Sequence, residues 1–207
     1  RLWLRALSRY RGTVSPAPDF AFNLCVERIP DAELAALDLS SWSLALDGAE
    51  PVRPATLRAF QERFGPCGLD PAALTPVNGL SEAALAVTFS DHQRAPRAVA
   101  FDREALARGR AVPARDGLPL ASVGTPVPGF TVAIRDAQGA PLPVGRIGRI
   151  HARGPSLLRR YLGSAAHPVR DGWLDTGDLG FVHDGELFIA GRAKDLIILR
   201  GRNHATQ

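Results

Sequence analysis

An Asp-Gly pair set between two apolar runs is the strongest constraint this chain places on its own fold. Gly180-Phe181-Val182-His183 leads into Asp184-Gly185, and Glu186 to Ala190 leads out. That dipeptide supplies the two positive-φ positions of a tight turn, so the flanking runs are expected to pair as an antiparallel hairpin. Just upstream, Asp175-Thr176-Gly177-Asp178 puts two carboxylates on a turn. Just downstream, Gly191-Arg192-Ala193-Lys194-Asp195 leads to Leu196-Ile197-Ile198-Leu199, an apolar run that reads as a buried strand ending at Gly201. A carboxylate at a turn can accept hydrogen bonds from paired hydroxyls such as a ribose diol. A guanidinium beside a glycine offers fixed donors to hydroxyl or phosphate oxygens. Taken singly, each piece is also an ordinary Asp-Gly turn or a surface arginine.

The 207 residues suffice for one domain with a real core or for two small ones. With 45% hydrophobic residues and a mean hydropathy near zero, the chain reads as soluble and globular. No apolar run approaches the ~20 residues of a membrane span, and the opening RLWLRALSRY is too polar for a signal peptide. The chain has no Met and opens on Arg, so it is expected to be a piece of something longer. The net charge of +4 comes from 25 basic against 21 acidic residues, and Lys194 is the only lysine. The arginines are scattered rather than gathered on one face, which argues against nucleic-acid binding. Cys25 and Cys67 lack metal-ligand spacing and read as reduced core thiols of a cytosolic protein.

Along the chain, Arg1–Tyr10 reads as an amphipathic helix, Arg11–Val14 as a short strand and Ser15–Asp19 as a loop, with Asp19 the N-cap of a helix over Phe20–Arg28. Phe20 and Phe22 fit an ordinary core at helical spacing. Asp31–Leu39 reads as a short helix or turn with Leu34 and Leu37 inward. Ser43–Leu46 is a strand entering Asp47-Gly48-Ala49-Glu50-Pro51, and a helix follows from Pro54 with Leu57, Phe60 and Phe64 as its stripe and Gly65-Pro66 as its stop. Strand, glycine turn and helix make a βα unit, whose loop lies at the carboxyl end of a parallel strand, where ligands bind in open α/β sheets. Asn78-Gly79-Leu80-Ser81-Glu82 follows. Ser81 there reads as the cap of a helix over SEAALAV; its hydroxyl is a donor and the Glu82 carboxylate a hard oxygen ligand. Ser90–Leu120 reads as loop apart from one helical turn over Phe101–Leu106. From Ala121, Phe130–Arg135 and Gly145–Ala152 read as short strands of a small antiparallel barrel or sandwich.

Taken together, DGWLDTGDLG and GRAKDLIILRGRN resemble the ribose-binding turn and the hinge of the adenylate-forming superfamily, whose enzymes activate carboxylic acids with ATP as acyl-adenylates. Gly201-Arg202-Asn203-His204 is most similar to its fatty acyl-AMP ligase branch. The resemblance implies a mixed α/β fold, with part of a parallel α/β subdomain over 1–120, a small antiparallel β-barrel-like subdomain over 121–190 and a hinge over 191–207. It places ribose contacts at Asp178 and Arg192 and the hinge pivot at Lys194. DGAEP resembles the adenine-side loop, so the backbone of Gly48, Ala49, Glu50 and Pro51 would face the purine; the family often has Asn where Asp47 stands. NGLSE resembles an aromatic-Gly-X-Ser/Thr-Glu motif, giving Ser81 the α-phosphate and Glu82 the Mg²⁺, with Gly79 between them and Asn78 where an aromatic would stack. SRYRGTVSPAPDFAFNLCVERI resembles the helix lining the acyl pocket, which would put Phe20 and Phe22 near an acyl chain.

Residues 91–120 are either a branch-specific insertion or a surface excursion. Arg149 stands where the family has Glu, and Arg160 where Gly precedes Tyr161. The family's phosphate loop and catalytic lysine are absent from these residues, so no catalytic residue is assigned and the 207 residues alone are not expected to adenylate. The cofactors implied are ATP and Mg²⁺. The partners implied are a fatty acid and an acyl carrier protein or polyketide synthase, in the cytoplasm. The alternatives are a fatty acyl-CoA synthetase and a non-catalytic adenylation-like scaffold, which Asn78 would favour.

Overall fold

The computed structural model describes residues 1–163, 167–199 and 202–205. They divide into two compact units, residues 1–77 with 90–97 and residues 78–89 with 98–207. The first unit contains α1 (Leu2–Tyr10), β1 (Val14–Ala17), α2 (Asp19–Arg28), α3 (Asp31–Leu34), β2 (Leu44–Asp47), α4 (Pro54–Phe64) and the start of β3 (Leu74–Leu80). β1 pairs in parallel with β2, and β2 with β3, so the expected parallel α/β unit is present. α4 begins with Pro54 in its first turn and buries Leu57, Phe60 and Phe64, since a proline there loses no helical hydrogen bond. The core is aromatic. Phe22 stacks on Trp42 and meets Trp3 and Phe60 edge to face at 5.0–6.2 Å between ring centroids.

Two expectations fail in this unit. Val14–Ala17 is a strand rather than the end of one strand and the start of a loop. Pro16 is tolerated because β1 lies at the sheet edge, where a missing amide costs no ladder bond. Asp19 is not a helix cap: α2 has no side-chain cap bond, and the Asp19 carboxylate is spent elsewhere.

The second unit holds β4 (Leu85–Phe89), β5 (Ala98–Phe101), α5 (Arg103–Ala107), β6 (Leu118–Ala121), β7 (Thr125–Pro126), β8 (Thr131–Arg135), β9 (Gly148–Arg153), β10 (Val169–Arg170), β11 (Trp173–His183), β12 (Glu186–Arg192), β13 (Leu196–Leu199) and β14 (Arg202–Ala205). One sheet runs β10-β11-β9-β8 with β12 also on β11, and every pairing in it is antiparallel. The expected hairpin is β11–β12, with Asp184 at φ 50 and Gly185 at φ 81, as its two-residue turn requires. Ile134, Ile150 and Leu187 form the core on this sheet, with Phe101, Phe181 and Phe188 as a second cluster. The boundary expected at residue 120 falls inside this unit. The stretch before it, expected as loop apart from one helical turn over Phe101–Leu106, also carries a strand pair, β5 with β6, and buried Phe101 packs edge-on against the stacked rings of Phe181 and Phe188. SEAALAV is not a helix. Ser81–Ala83 is a single 3-10 turn that β4 follows. The strand expected at Leu196–Leu199 pairs with β14, but the burial of its side chains, like Gly201, lies outside the described residues.

Candidate functional site

On the first unit the DGAEP loop leaves the carboxyl end of β2 under tight constraint. A Cβ on Gly48 would stand 2.8 Å from Val77 Cγ2 and 2.9 Å from the Val77 carbonyl oxygen, so the backbone passes where only glycine fits. Ala49 follows in the left-handed region at φ 67. The far side of the loop is fastened to α2, where the Phe20 amide donates to Glu50 Oε1 at 2.5 Å. Next to it, Asp19 is fully buried. Its carboxylate accepts from the Arg53 amide (2.9 Å), from Arg53 Nε (2.7 Å) and from Thr56 Oγ1 (3.1 Å). Asp19 therefore locks the start of α4 to α2. Sequence reasoning missed this role, because the partners lie 34 and 37 residues away and no local pattern joins them.

Asp47 closes β2 without any exposed surface, and neither of its carboxylate oxygens has a hydrogen-bond partner among the described residues. Burial, then the charges of Asp19 and Glu50, push its pKa up to about 8, with Arg53 pulling the other way. A carboxyl so placed is protonated at neutral pH. The structure separates the two phenylalanines of α2: Phe22 is consumed by the aromatic core, and Phe20 is 52% exposed.

On the second unit the Asp175-Thr176-Gly177-Asp178 turn is a bulge in β11. Asp175 pairs with His151 and Leu179 with Arg149, so Thr176, Gly177 and Asp178 stand against Ile150 alone. Thr176 Oγ1 donates to the Ile150 carbonyl at 2.9 Å, and the Gly177 amide donates to Asp175 Oδ1 at 3.0 Å. Bulges of this kind re-aim side chains and recur beside active sites. Here the bulge sets Asp178 opposite Arg192 of β12. Arg192 Nε lies 3.1 Å from Asp178 Oδ1, with the Arg192 side chain about half exposed and that of Asp178 18% exposed. Burial raises the Asp178 pKa, and the Arg192 guanidinium opposes the rise. The sequence placed both residues in one site, and the structure brings them together as an ion pair with hydrogen-bonding capacity left over on each.

The NGLSE stretch lies at the end of β3 and in the turn after it. Asn78 Nδ2 is buried without a partner among the described residues. Glu82 is half-buried and accepts from the Tyr161 hydroxyl at 2.9 Å, which leaves its second oxygen for another ligand. Mg²⁺ is commonly held by one or two carboxylates and substrate phosphates rather than by a protein cage. A single hard oxygen donor of this kind fits it, and among the described residues no cluster of three His, Cys, Asp or Glu competes for that role. Lys194 is exposed in a 3-10 turn directly after Arg192 and Ala193. Arg149 pairs with Asp175 at 2.8 Å on the rim of a polar cleft of about 480 Å³ that His151 and Trp173 also line. No sequence signal pointed to that pair.

The family model for AMP-binding enzymes matches residues 1–162. A medium-chain-fatty-acid–[acyl-carrier-protein] ligase from Teredinibacter turnerae is 37% identical over 98% of this chain and 35% of its own length. A putative acyl-CoA synthetase from Caulobacter vibrioides is 38% identical over 98% of this chain and 37% of its own length. A solved structure from a study of fatty acyl-adenylate ligases of E. coli and L. pneumophila superposes with a TM-score of 0.94 at 40% identity, covering 99% of this chain and 38% of that one. The chain thus spans little more than a third of the length of the proteins it matches.

Proposed function

The chain belongs to the AMP-binding enzyme family, and on that premise we propose that the protein carrying it is a fatty acyl-AMP ligase. A carboxylate oxygen of the fatty acid attacks the α-phosphorus of ATP, the bond to the bridging oxygen breaks, and pyrophosphate leaves. The acyl group then passes from AMP to an acyl carrier protein, free or within a polyketide synthase. The observation that carries this reading is the bulge that seats Asp178 opposite Arg192. It supplies an acceptor and a fork of donors on adjacent strands, which suits a ribose diol.

In this reading the backbone of Gly48, Ala49, Glu50 and Pro51 on the first unit would face the purine; on the second unit the Asn78 amide, without a partner among the described residues, stands in place of a stacking ring. Gly79 lets the chain turn, and the Ser81 hydroxyl donates to the α-phosphate. Glu82 would hold Mg²⁺, which when bound shields phosphate charge from the incoming carboxylate. Phe20, half exposed, offers an apolar surface to the acyl chain, while Phe22 is taken up by the core. Lys194 sits at the hinge, and 91–120 is the branch-specific insertion. The location is cytoplasmic, in keeping with two free buried cysteines.

A second reading, a fatty acyl-CoA synthetase, is favoured by the Caulobacter relative. One assay separates the two. The protein is expected to show fatty-acid-dependent exchange of labelled pyrophosphate into ATP, and then to load a phosphopantetheinylated carrier protein rather than coenzyme A. Exchange followed by acyl-CoA formation would transfer the assignment to the synthetases. An absence of exchange in the protein at its relatives' length would favour a non-catalytic scaffold.

A further inference from the structure

Resting on the reading of Glu82 as the cation-holding carboxylate, we propose that Tyr161 is a positioning residue for that carboxylate, the tip of a clasp formed by residues 156–161. The clasp closes on the Glu82 turn at three points. The Tyr161 hydroxyl donates to Glu82 Oε1 at 2.9 Å from 79 residues away. The Leu158 amide donates to the Glu82 carbonyl at 2.7 Å. Ser156 Oγ donates to the Ala83 carbonyl at 2.8 Å. Beneath them Ala83 is buried in a cluster with Val87 and Ala152, and Leu157 packs against the same cluster.

The turn needs such support because its backbone is strained. Ala84 and Leu85 are consecutive non-glycine residues at φ 53 and φ 86. The chain folds back so closely that a Cβ on Gly79 would meet the Leu85 carbonyl oxygen at 1.8 Å. Residues in that region persist only where their surroundings over-determine them, and they gather at functional sites. The clasp supplies that determination directly at the carboxylate. A phenol is also the right donor for the task. It fixes one oxygen of Glu82 without bringing a positive charge, so the carboxylate keeps the full negative charge a hard cation wants, and Oε2 stays free. An arginine in the same place would orient the carboxylate but compete with the cation.

The test is calorimetric titration of the full chain with ATP in excess Mg²⁺ and with AMP in the presence of a chelator, for wild type, Tyr161→Phe, Glu82→Gln and the double variant. Loss of one hydrogen bond predicts a roughly 2- to 10-fold weaker affinity for the magnesium complex in Tyr161→Phe. Metal-free AMP affinity and melting temperature should be unchanged. Adding Tyr161→Phe to Glu82→Gln should bring no further loss, since both act through one carboxylate. If Glu82→Gln removes the metal-dependent gain while Tyr161→Phe keeps it, the clasp proposal is overturned and the metal role of Glu82 stands. If Glu82→Gln changes nothing, the metal role falls and the proposal falls with it. If Tyr161→Phe weakens both ligands alike and lowers melting, Tyr161 is only a structural strut, and the proposal is likewise overturned.

Discussion

Asp47→Asn is expected to raise the melting temperature at pH 7 and to flatten its dependence on pH between about 4 and 8. In the unfolded chain this carboxyl titrates at its ordinary value of 3.8; folded, it titrates at about 8. Between those values the folded protein binds a proton that the unfolded chain has released. The contribution to stability is therefore fully present below pH 4 and is lost progressively as pH rises toward 8. Each tenfold change in proton affinity is worth about 1.4 kcal/mol, so at pH 7 the wild type holds the carboxyl protonated at a cost of up to about 4 kcal/mol. Asparagine is uncharged throughout and close in size, and it buries one more unpaired donor than a protonated carboxyl does, since neither Asp47 oxygen has a partner among the described residues; that sets the gain below the full ionisation cost. A gain of roughly 2–4 kcal/mol follows, or on the order of 5–15 °C for a chain of this size. Thermal melts of both proteins from pH 4 to pH 9 check it. Parallel curves with a constant offset would mean that Asp47 is ionised or paired at neutral pH, against the structure.

Phe22→Ala is expected to destabilise the protein by roughly 3–5 kcal/mol, the cost of emptying a fully buried aromatic site. Phe22 has no exposed surface and touches Trp3, Trp42 and Phe60, whose rings are themselves packed on one another. The surrounding rings are large and mutually wedged, so they cannot collapse into the hole. Phe20→Ala, at a half-exposed position, should change stability by no more than about 0.5 kcal/mol, and its effect should fall on fatty-acid affinity instead. Denaturant unfolding of the two variants separates the roles. A Phe22→Ala cost below about 1 kcal/mol would mean that the aromatic cluster is not the core of this unit.

These two residues also show where the sequence was legible. Helical spacing put Leu57, Phe60 and Phe64 on one stripe, because burial on a helix is periodic, but it read Phe20 and Phe22 alike as core-compatible, and only Phe22 is buried. Asp184-Gly185 announced its hairpin because few residues adopt the backbone that turn requires. Nothing local distinguishes Asp47 from an ordinary loop residue. Its burial depends on the strands on either side of β2 and on the charges of Asp19 and Glu50, and the strands and Asp19 come from other segments of the chain.

The same limit hid the Asp19–Arg53 lock and the Tyr161–Glu82 bond, since each joins segments tens of residues apart. β1 and β6 were obscured for another reason. Prolines at 16 and 119 break the local strand signal, and the pairing that overrides them is tertiary. For the candidate site, the short motifs singled out Asp178, Arg192, Ser81 and Glu82 as candidates. They did not disclose the bulge that aims Asp178, because a bulge is a mismatch in register between two strands and neither strand encodes it alone.

The most direct test of the nucleotide-site reading is the binding of a hydrolysis-resistant fatty acyl-adenylate, an acyl-sulfamoyl adenosine, by calorimetry. The protein should bind it at a single saturable site. Asp178→Ala should weaken that affinity by roughly 10- to 100-fold, the loss of hydrogen bonding to a charged group worth about 1.5–3 kcal/mol, with melting little changed because the Arg192 partner is half exposed. Equal affinity in wild type and Asp178→Ala, or no binding by either, would contradict the assignment of a ribose site at Asp178 and Arg192.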